Sequence, residues 1–197
     1  MLDKNNVLIV SALEVETQGQ LEDYRVLYTG VGKVNATLEL TKVLQRAHLH
    51  YLPKMPELVI NYGTAGSRKI KKKQLVDCTK FIQRDMDVTG LGFMKGETPF
   101  EENPPITIKS TSKFNPIGRN ASCGSGDSFV EDRTNYYGEV VDMEAYALAK
   151  VCYHYDIPFI SFKYITDGAD EQSHEDWEKN LANGIVEFKE RILEKIE

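Results

Sequence analysis

Three acids in this sequence follow closely on apolar runs. Glu16 comes after NVLIVSA, Glu144 after the short run that ends in Asp142, and Asp167 after IPFISFKYI. Short continuous apolar runs rich in β-branched and aromatic residues read as buried strands. Each acid is therefore expected at the carboxyl end of a strand, the edge where open α/β sheets hold their ligands. Carboxylates gathered at one edge can divide the giving and taking of protons between them. No His or Cys in the chain has a spacing that would compete for that work. Glu14 and Glu16 both also suit the start of a helix, whose dipole favours acids; Glu14 is better read that way.

The elements that must position these acids are visible around them. Within residues 140–170, Ala145, Leu148, Ala149 and Cys152 fall on one helical face, and Pro158 opens the strand that ends in Thr166-Asp167-Gly168. Strand, helix, strand reads as a βαβ unit with parallel strands. Upstream, residues 6–12, 24–28 and 57–62 read as strands, the last two ending in glycine-rich turns. The turn Thr29-Gly30-Val31-Gly32-Lys33 fails as a phosphate loop, because Leu27 stands where the first Gly belongs and Val34 where Ser or Thr belongs. A helix is expected from about Asn35 to His48, with His48 and His50 on the surface. Residues 75–88 give a further apolar run and then a polar one, Arg84-Asp85-Met86-Asp87, whose two acids suit turn chemistry better than a metal. Residues 90–105 are expected to form a long loop with Phe93, Met94 and Phe100 as exposed or pocket-covering groups. Residues 120–130, NASCGSGDSFV, are small and flexible up to Phe129 and fail the dinucleotide fingerprint there. Residues 178–196 read as one terminal helix. No repeat or linker divides residues 1–197, which are expected to form a single domain.

Composition narrows the function. Hydrophobic residues at 41% and charged residues at 27% describe an ordinary globular chain. A net charge of -6 argues against nucleic acid or an acidic membrane as partner. The basic run of residues 68–73 reads as a solvated loop. No apolar run approaches membrane-spanning length and no signal-peptide pattern opens the chain. Three cysteines without CxxC spacing suggest neither a disulfide framework nor a zinc site, which fits a reduced, cytoplasmic setting.

The segments VLIVSALEVE, YTGVGKVNAT, VINYGTAGS, DMDVTGLGF, GSGDSFV, VVDMEAYALAKVC and ITDGAD, in this order, resemble the nucleoside phosphorylase and nucleosidase superfamily, most closely its methylthioadenosine/S-adenosylhomocysteine nucleosidases. The resemblance implies a three-layer α/β/α sandwich around a twisted mixed, largely parallel sheet, assembled as a homodimer. It implies hydrolysis of the N-glycosidic bond of an adenine nucleoside, with no metal and no organic cofactor. Carried over residue by residue, Glu16 matches the acid that activates water, which decides its reading against a helix-start acid, and Asp167 the acid that protonates the adenine. Glu144 matches the carboxylate that holds the ribose hydroxyls, with Met143 packed on the sugar. Phe129 matches the residue stacked on adenine and Val130 the one whose backbone meets its edge. Ala12, Val31, Thr64 and Val88 fall on pocket-lining positions, and Phe100 in the loop that closes a neighbouring subunit's pocket.

The sequence departs from that family in three places. The segment between Glu16 and Tyr24 is much shorter, Asp142 stands where Glu is common, and Lys163 where a longer cation is usual. Two other readings stay open at this stage: a phosphorylase of the same superfamily and a non-catalytic nucleoside-binding protein. The early turns carry no phosphate-gripping Arg, which favours water as nucleophile. The group on the ribose 5′ carbon is left open.

Overall fold

Alternation along the central strands sends successive side chains to two separate cores. The computed structural model describes residues 2–49, 54–103, 105–131 and 137–196; His50 and Pro104 lie outside them. In β1 (Val7–Ser11), Val7 and Ile9 face one core while Leu8 and Val10 face the other. In β3 (Leu58–Gly66) and β8 (Phe159–Asp167) the same period-two pattern separates Ile60, Tyr62, Ile160 and Phe162 from Val59, Ala65, Phe159 and Ile165. A sheet buried on both faces needs cover on both. Helices α2 (Lys33–His48) and α3 (Ala145–His154) cover one face through Leu40, Leu44, Leu148 and Cys152. Helix α5 (Gly184–Arg191) covers the other through Ile185 and Phe188, the latter stacked on Tyr62 at 4.4 Å. The result is the expected three-layer α/β/α arrangement around a mixed sheet.

The remaining strands are β2 (Val26–Tyr28), β4 (Leu75–Gln83), β5 (Thr107–Lys109), β6 (Ala121–Ser125) and β7 (Val140–Asp142). The sheet runs β2-β1-β3-β7-β6-β4-β5, and β8 bridges β3 and β4. The pairings β3–β8–β4–β6–β7–β3 therefore close a twisted ring, with β1 and β2 extending it on one side and β5 on the other.

This topology corrects the reading of residues 140–170 as a parallel βαβ unit. Strand β8 is parallel to β3, whereas β7 is antiparallel to β3, so β7 and β8 run in opposite senses. Helix α3 connects them across the ring. Their carboxyl ends still converge, because Gly66, at the end of β3, pairs with both Val141 and Asp167.

Two further expectations change. Residues 120–130 contain a real strand, β6, built of small residues because the chain passes very close there: a Cβ on Gly124 would lie 1.7 Å from the Tyr137 carbonyl oxygen. The terminal helix is interrupted into α4 (Ser173–Asn180), a 3₁₀ turn at Leu181–Asn183, and α5. Asn180 turns inward to donate to the Thr166 carbonyl at 2.8 Å, and Gly184 lies flat against Tyr164.

Candidate active site

A cavity of about 330 Å³ opens at the convergent carboxyl ends of β1, β3, β7 and β8. Its walls include Glu16, Glu144 and Asp167, together with Ala12, Val31, Thr64, Phe129, Val130 and Met143. Of the catalytic and pocket-lining positions expected from the resemblance, Val88 is the one not on this wall; it precedes the 3₁₀ turn Thr89–Leu91. Phe100 is 94% exposed, touches Phe93 edge-on and does not line this cavity.

The three acids are all buried, at 4%, 8% and 3% exposure for Glu16, Glu144 and Asp167, yet each is held differently. Glu16 sits on α1 (Glu14–Thr17), the short helix that follows β1. Its Oε1 accepts from the Thr64 backbone N–H and hydroxyl, both at 2.8 Å, and its Oε2 from the Ser11 hydroxyl at 3.1 Å and the Leu13 N–H at 3.2 Å. Four donors thus converge on one carboxylate and fix its orientation.

Asp167 ends β8. Burial pushes its carboxyl above the usual range, against the Ala169 N–H and the Thr166 and Ser173 hydroxyls, which favour the anion. A carboxyl so placed tends to keep its proton. Glu144 caps α3 and accepts from the Gly32 N–H at 2.8 Å. Burial, then the neighbouring Asp142, pushes it up to about 8, while Lys163 and the Gly32 N–H pull the other way.

Beneath the acids lies the Asp142–Lys163 pair, 2.8 Å apart with both side chains 1% exposed. Burial alone would lower the lysine, but the Asp142 charge outweighs it and the ammonium is held. Asp142 is completed by the Ser125 hydroxyl at 2.5 Å and the Ala145 N–H at 2.9 Å, and Ser125 in turn accepts from Tyr146 N–H. The departure from Glu and a longer cation thus leaves a closed pair that also caps α3. A buried pair is worth keeping only when its partners are satisfied in this way.

Ser128, Phe129 and Val130, from the segment Gly126 to Val130, form another part of the wall. Buried Arg84 grips it through the Gly126 carbonyl at 3.1 Å, the Ser128 carbonyl and the Ser128 hydroxyl at 3.2 Å. Asp127 ties the same segment to the start of α2, accepting from the Lys33 N–H at 2.7 Å and donating its own N–H to Asp85 at 2.9 Å, and Asp85 pairs with the Lys33 ammonium at 2.6 Å. Asp85 is therefore structural, and Asp87 caps Thr89. Phe129 is left 44% exposed, with the edge of His174 against it. Among the described residues there is no group of three or more His, Cys, Asp and Glu placed to hold a metal.

Sequence reasoning missed Arg84, His174 and Trp177 on this wall. Arg84 could have been found as the lone cation in a polar turn after an apolar strand. His174 and Trp177 lie on α4, and no local pattern marks them.

The model of the phosphorylase superfamily matches residues 15–196. A 5′-methylthioadenosine/S-adenosylhomocysteine nucleosidase of Haemophilus influenzae (strain PittEE) is 30% identical over 218 aligned positions, covering all of this chain and 91% of that relative. Two solved structures from Helicobacter pylori have the same fold. One is a 5′-methylthioadenosine/S-adenosylhomocysteine nucleosidase with butyl-thio-DADMe-Immucillin-A, with a TM-score of 0.80 at 20% identity and full coverage of both chains. The other is a futalosine hydrolase mutant, with a TM-score of 0.79 at 20% identity over 96% of this chain and 99% of that one. The structural likenesses speak for the fold, and the family match and the Haemophilus relative for descent: this chain belongs to the phosphorylase superfamily and, within it, to the 5′-methylthioadenosine/S-adenosylhomocysteine nucleosidase family.

Proposed function

We propose that the protein hydrolyses the N-glycosidic bond of an adenine nucleoside of the 5′-methylthioadenosine or S-adenosylhomocysteine type, releasing adenine and the free sugar. The observation that carries this reading is one cavity with three buried acids in three different environments. Cleavage at a sugar carbon passes through an oxocarbenium-like state, which calls for an acid on the leaving group and a base on the opposite face. Asp167, whose burial favours its protonated form, supplies the proton to the departing adenine. Glu16, held in place by four donors, takes the proton from water. Glu144 accepts the ribose hydroxyls beside Met143, and its negative charge gains value as positive charge grows on the sugar. Phe129 offers its exposed ring to the adenine, and Val130 its backbone.

Water is favoured over phosphate as nucleophile by the charges present. Glu16 places a negative charge where an attacking anion would have to sit, and the donors around it are already engaged. Arg84 lies at the wall, but its guanidinium holds the Gly126 and Ser128 carbonyls. The reaction is proposed to need neither metal nor organic cofactor.

Residues 1–197 are proposed to act as a single domain in a homodimer. Exposed Val34 and Leu38 on α2, together with Leu91, Met94 and Phe100, support a second copy as the partner. Among the described residues no helix is long and apolar enough to cross a membrane. Three buried free cysteines suit a reducing, cytoplasmic setting, and the proposed substrates suit a role in methionine salvage. The test is adenine release from a panel of adenine nucleosides with 5′-methylthio, 5′-homocysteinyl and 5′-hydroxyl groups, and from futalosine, with and without phosphate. Release without phosphate, with the free sugar as co-product, is expected. Strict phosphate dependence with a sugar phosphate as product overturns the reading.

A further inference from the structure

The chain's single tryptophan, Trp177, stands on α4 with its indole N–H 2.9 Å from the Thr64 hydroxyl oxygen. That oxygen is also 2.8 Å from Glu16 Oε1. The direction of this chain is forced by the chemistry of its ends. An indole N–H can only donate and an ionised carboxylate can only accept. The Thr64 hydroxyl must therefore receive from Trp177 and give its one hydrogen to Glu16. Without the indole donor, that hydroxyl would be free to rotate toward other acceptors.

We propose that Trp177 is a positioning residue for the hydrolytic step, acting through Thr64 to lock a hydrogen bond onto one oxygen of Glu16. This rests on the reading of Glu16 as the group that accepts the proton of water. Among the described residues, the other donors to Glu16 are the Thr64 and Leu13 backbone N–H groups and the Ser11 hydroxyl. The two backbone donors cannot reverse, and Trp177 keeps the Thr64 hydroxyl from reversing. Ser11, at 3.1 Å from Oε2, is the one donor that can turn and accept. The proton removed from water therefore comes to rest on Oε2, shared with Ser11, while Oε1 stays an acceptor throughout. Trp177 touches neither the water nor the reacting carbon in this scheme; its effect passes through Thr64.

The experiment is a double-mutant cycle on steady-state adenine release, using Trp177→Phe, Thr64→Val, Thr64→Ser and their combinations, with Glu16→Gln alongside. Trp177→Phe is expected to lower kcat by ~5–10-fold, the size of one lost neutral hydrogen bond, with KM little changed. In the Thr64→Val background the same change should have no further effect, and in Thr64→Ser, which keeps the hydroxyl, its effect should return. Replacing the indole by benzothienylalanine puts sulfur in place of N–H in the same ring shape, so the comparison survives if Phe disturbs packing. An equal fall in the Thr64→Val background, or a rise in KM at constant kcat, overturns the relay and leaves Trp177 as cavity wall. The Glu16→Gln arm separates the two levels: near-normal activity there removes the base assignment itself, whereas an inactive Glu16→Gln beside an unaffected Trp177→Phe removes the relay alone.

Discussion

At the scale of single residues, the site separates three acids by what surrounds each one. This has a cost that is measurable without substrate. Glu144 is pushed up to about 8 by burial and Asp142, from an ordinary value of 4.5. A carboxyl raised on folding contributes stability that is fully present below its unfolded value and is lost as pH rises through its folded value. The free protein should therefore lose stability from Glu144 between about pH 4.5 and 8. Glu144→Gln keeps an oxygen for the Gly32 N–H but carries no charge. Its thermal midpoint should match wild type near pH 5 and exceed it near pH 8. A variant less stable than wild type by the same margin at both pH values would show that the acid is not strained by burial. The same group predicts that nucleoside binding near neutral pH releases a proton, because two ribose hydroxyls donating to Glu144 favour its anion. Calorimetric titration in buffers of different ionisation enthalpy reads that proton directly, and zero release counts against the ribose assignment.

Asp167 and Glu16 are distinguished by the leaving group. If Asp167 protonates adenine, Asp167→Asn should lower adenine release on the order of 10²-fold or more. It should spare a riboside with a phenolate leaving group, which departs unprotonated. Glu16→Gln should harm both substrates, since water must be deprotonated in either case. Initial rates for two variants on two substrates decide it. Proportional losses for Asp167→Asn on both would make Asp167 a turn residue that merely accepts from Ala169 and Thr166.

At the scale of elements, the sequence showed where strands and helices lie better than how they pair. Period-two and continuous apolar runs announced β1, β3 and β8, since burial on one or both faces leaves that mark in the residue types. The relative sense of β7 and β8 left none, because a strand's own side chains do not record which neighbour it hydrogen-bonds. Strand β6 was missed for a different reason. Its small residues are imposed by a backbone crossing at Gly124, and such a strand lacks the apolar signature. Gly184 makes the same point at the break between α4 and α5. Its φ of -70° suits any residue, so local conformation does not demand glycine; contact does, with a Cβ there only 2.6 Å from the Tyr164 ring. Gly184→Ala should destabilise the fold by about 1–3 kcal/mol through overpacking alone. Denaturant unfolding should show a lower midpoint, with KM unchanged because the site lies beyond this contact. An unshifted midpoint would mean that α5 can back away from the sheet freely.

At the scale of the whole molecule, the closed ring of strands explains why acids distant in sequence share one cavity. Strands β3, β7 and β8 direct their carboxyl ends to Gly66, and the acids follow from those ends whatever the strands' relative sense. That convergence is why the acids were readable from residue type even though the topology between them was misread. The same molecule leaves apolar groups facing outward near the site. Val34 and Leu38 are 75% and 49% exposed, one turn apart on the outer side of α2. The Lys33–Asp85 pair holds the start of that helix beside the chain that leads into Leu91, Met94 and Phe100, at 74%, 63% and 94% exposure. Large apolar side chains concentrated on two adjoining segments mark an interface more often than a bare surface. A two-fold dimer would use the same patch on both copies and bring each Phe100 segment toward the other copy's cavity. Val34→Glu/Leu38→Glu places two charges in that patch without touching the acids. Sedimentation equilibrium should show a dimer for wild type and a monomer for the double variant, with KM raised and the Glu144-dependent pH profile of stability kept. A wild-type protein that sediments as a monomer at micromolar concentration would sink the dimer, and a double variant that stays dimeric would place the interface elsewhere.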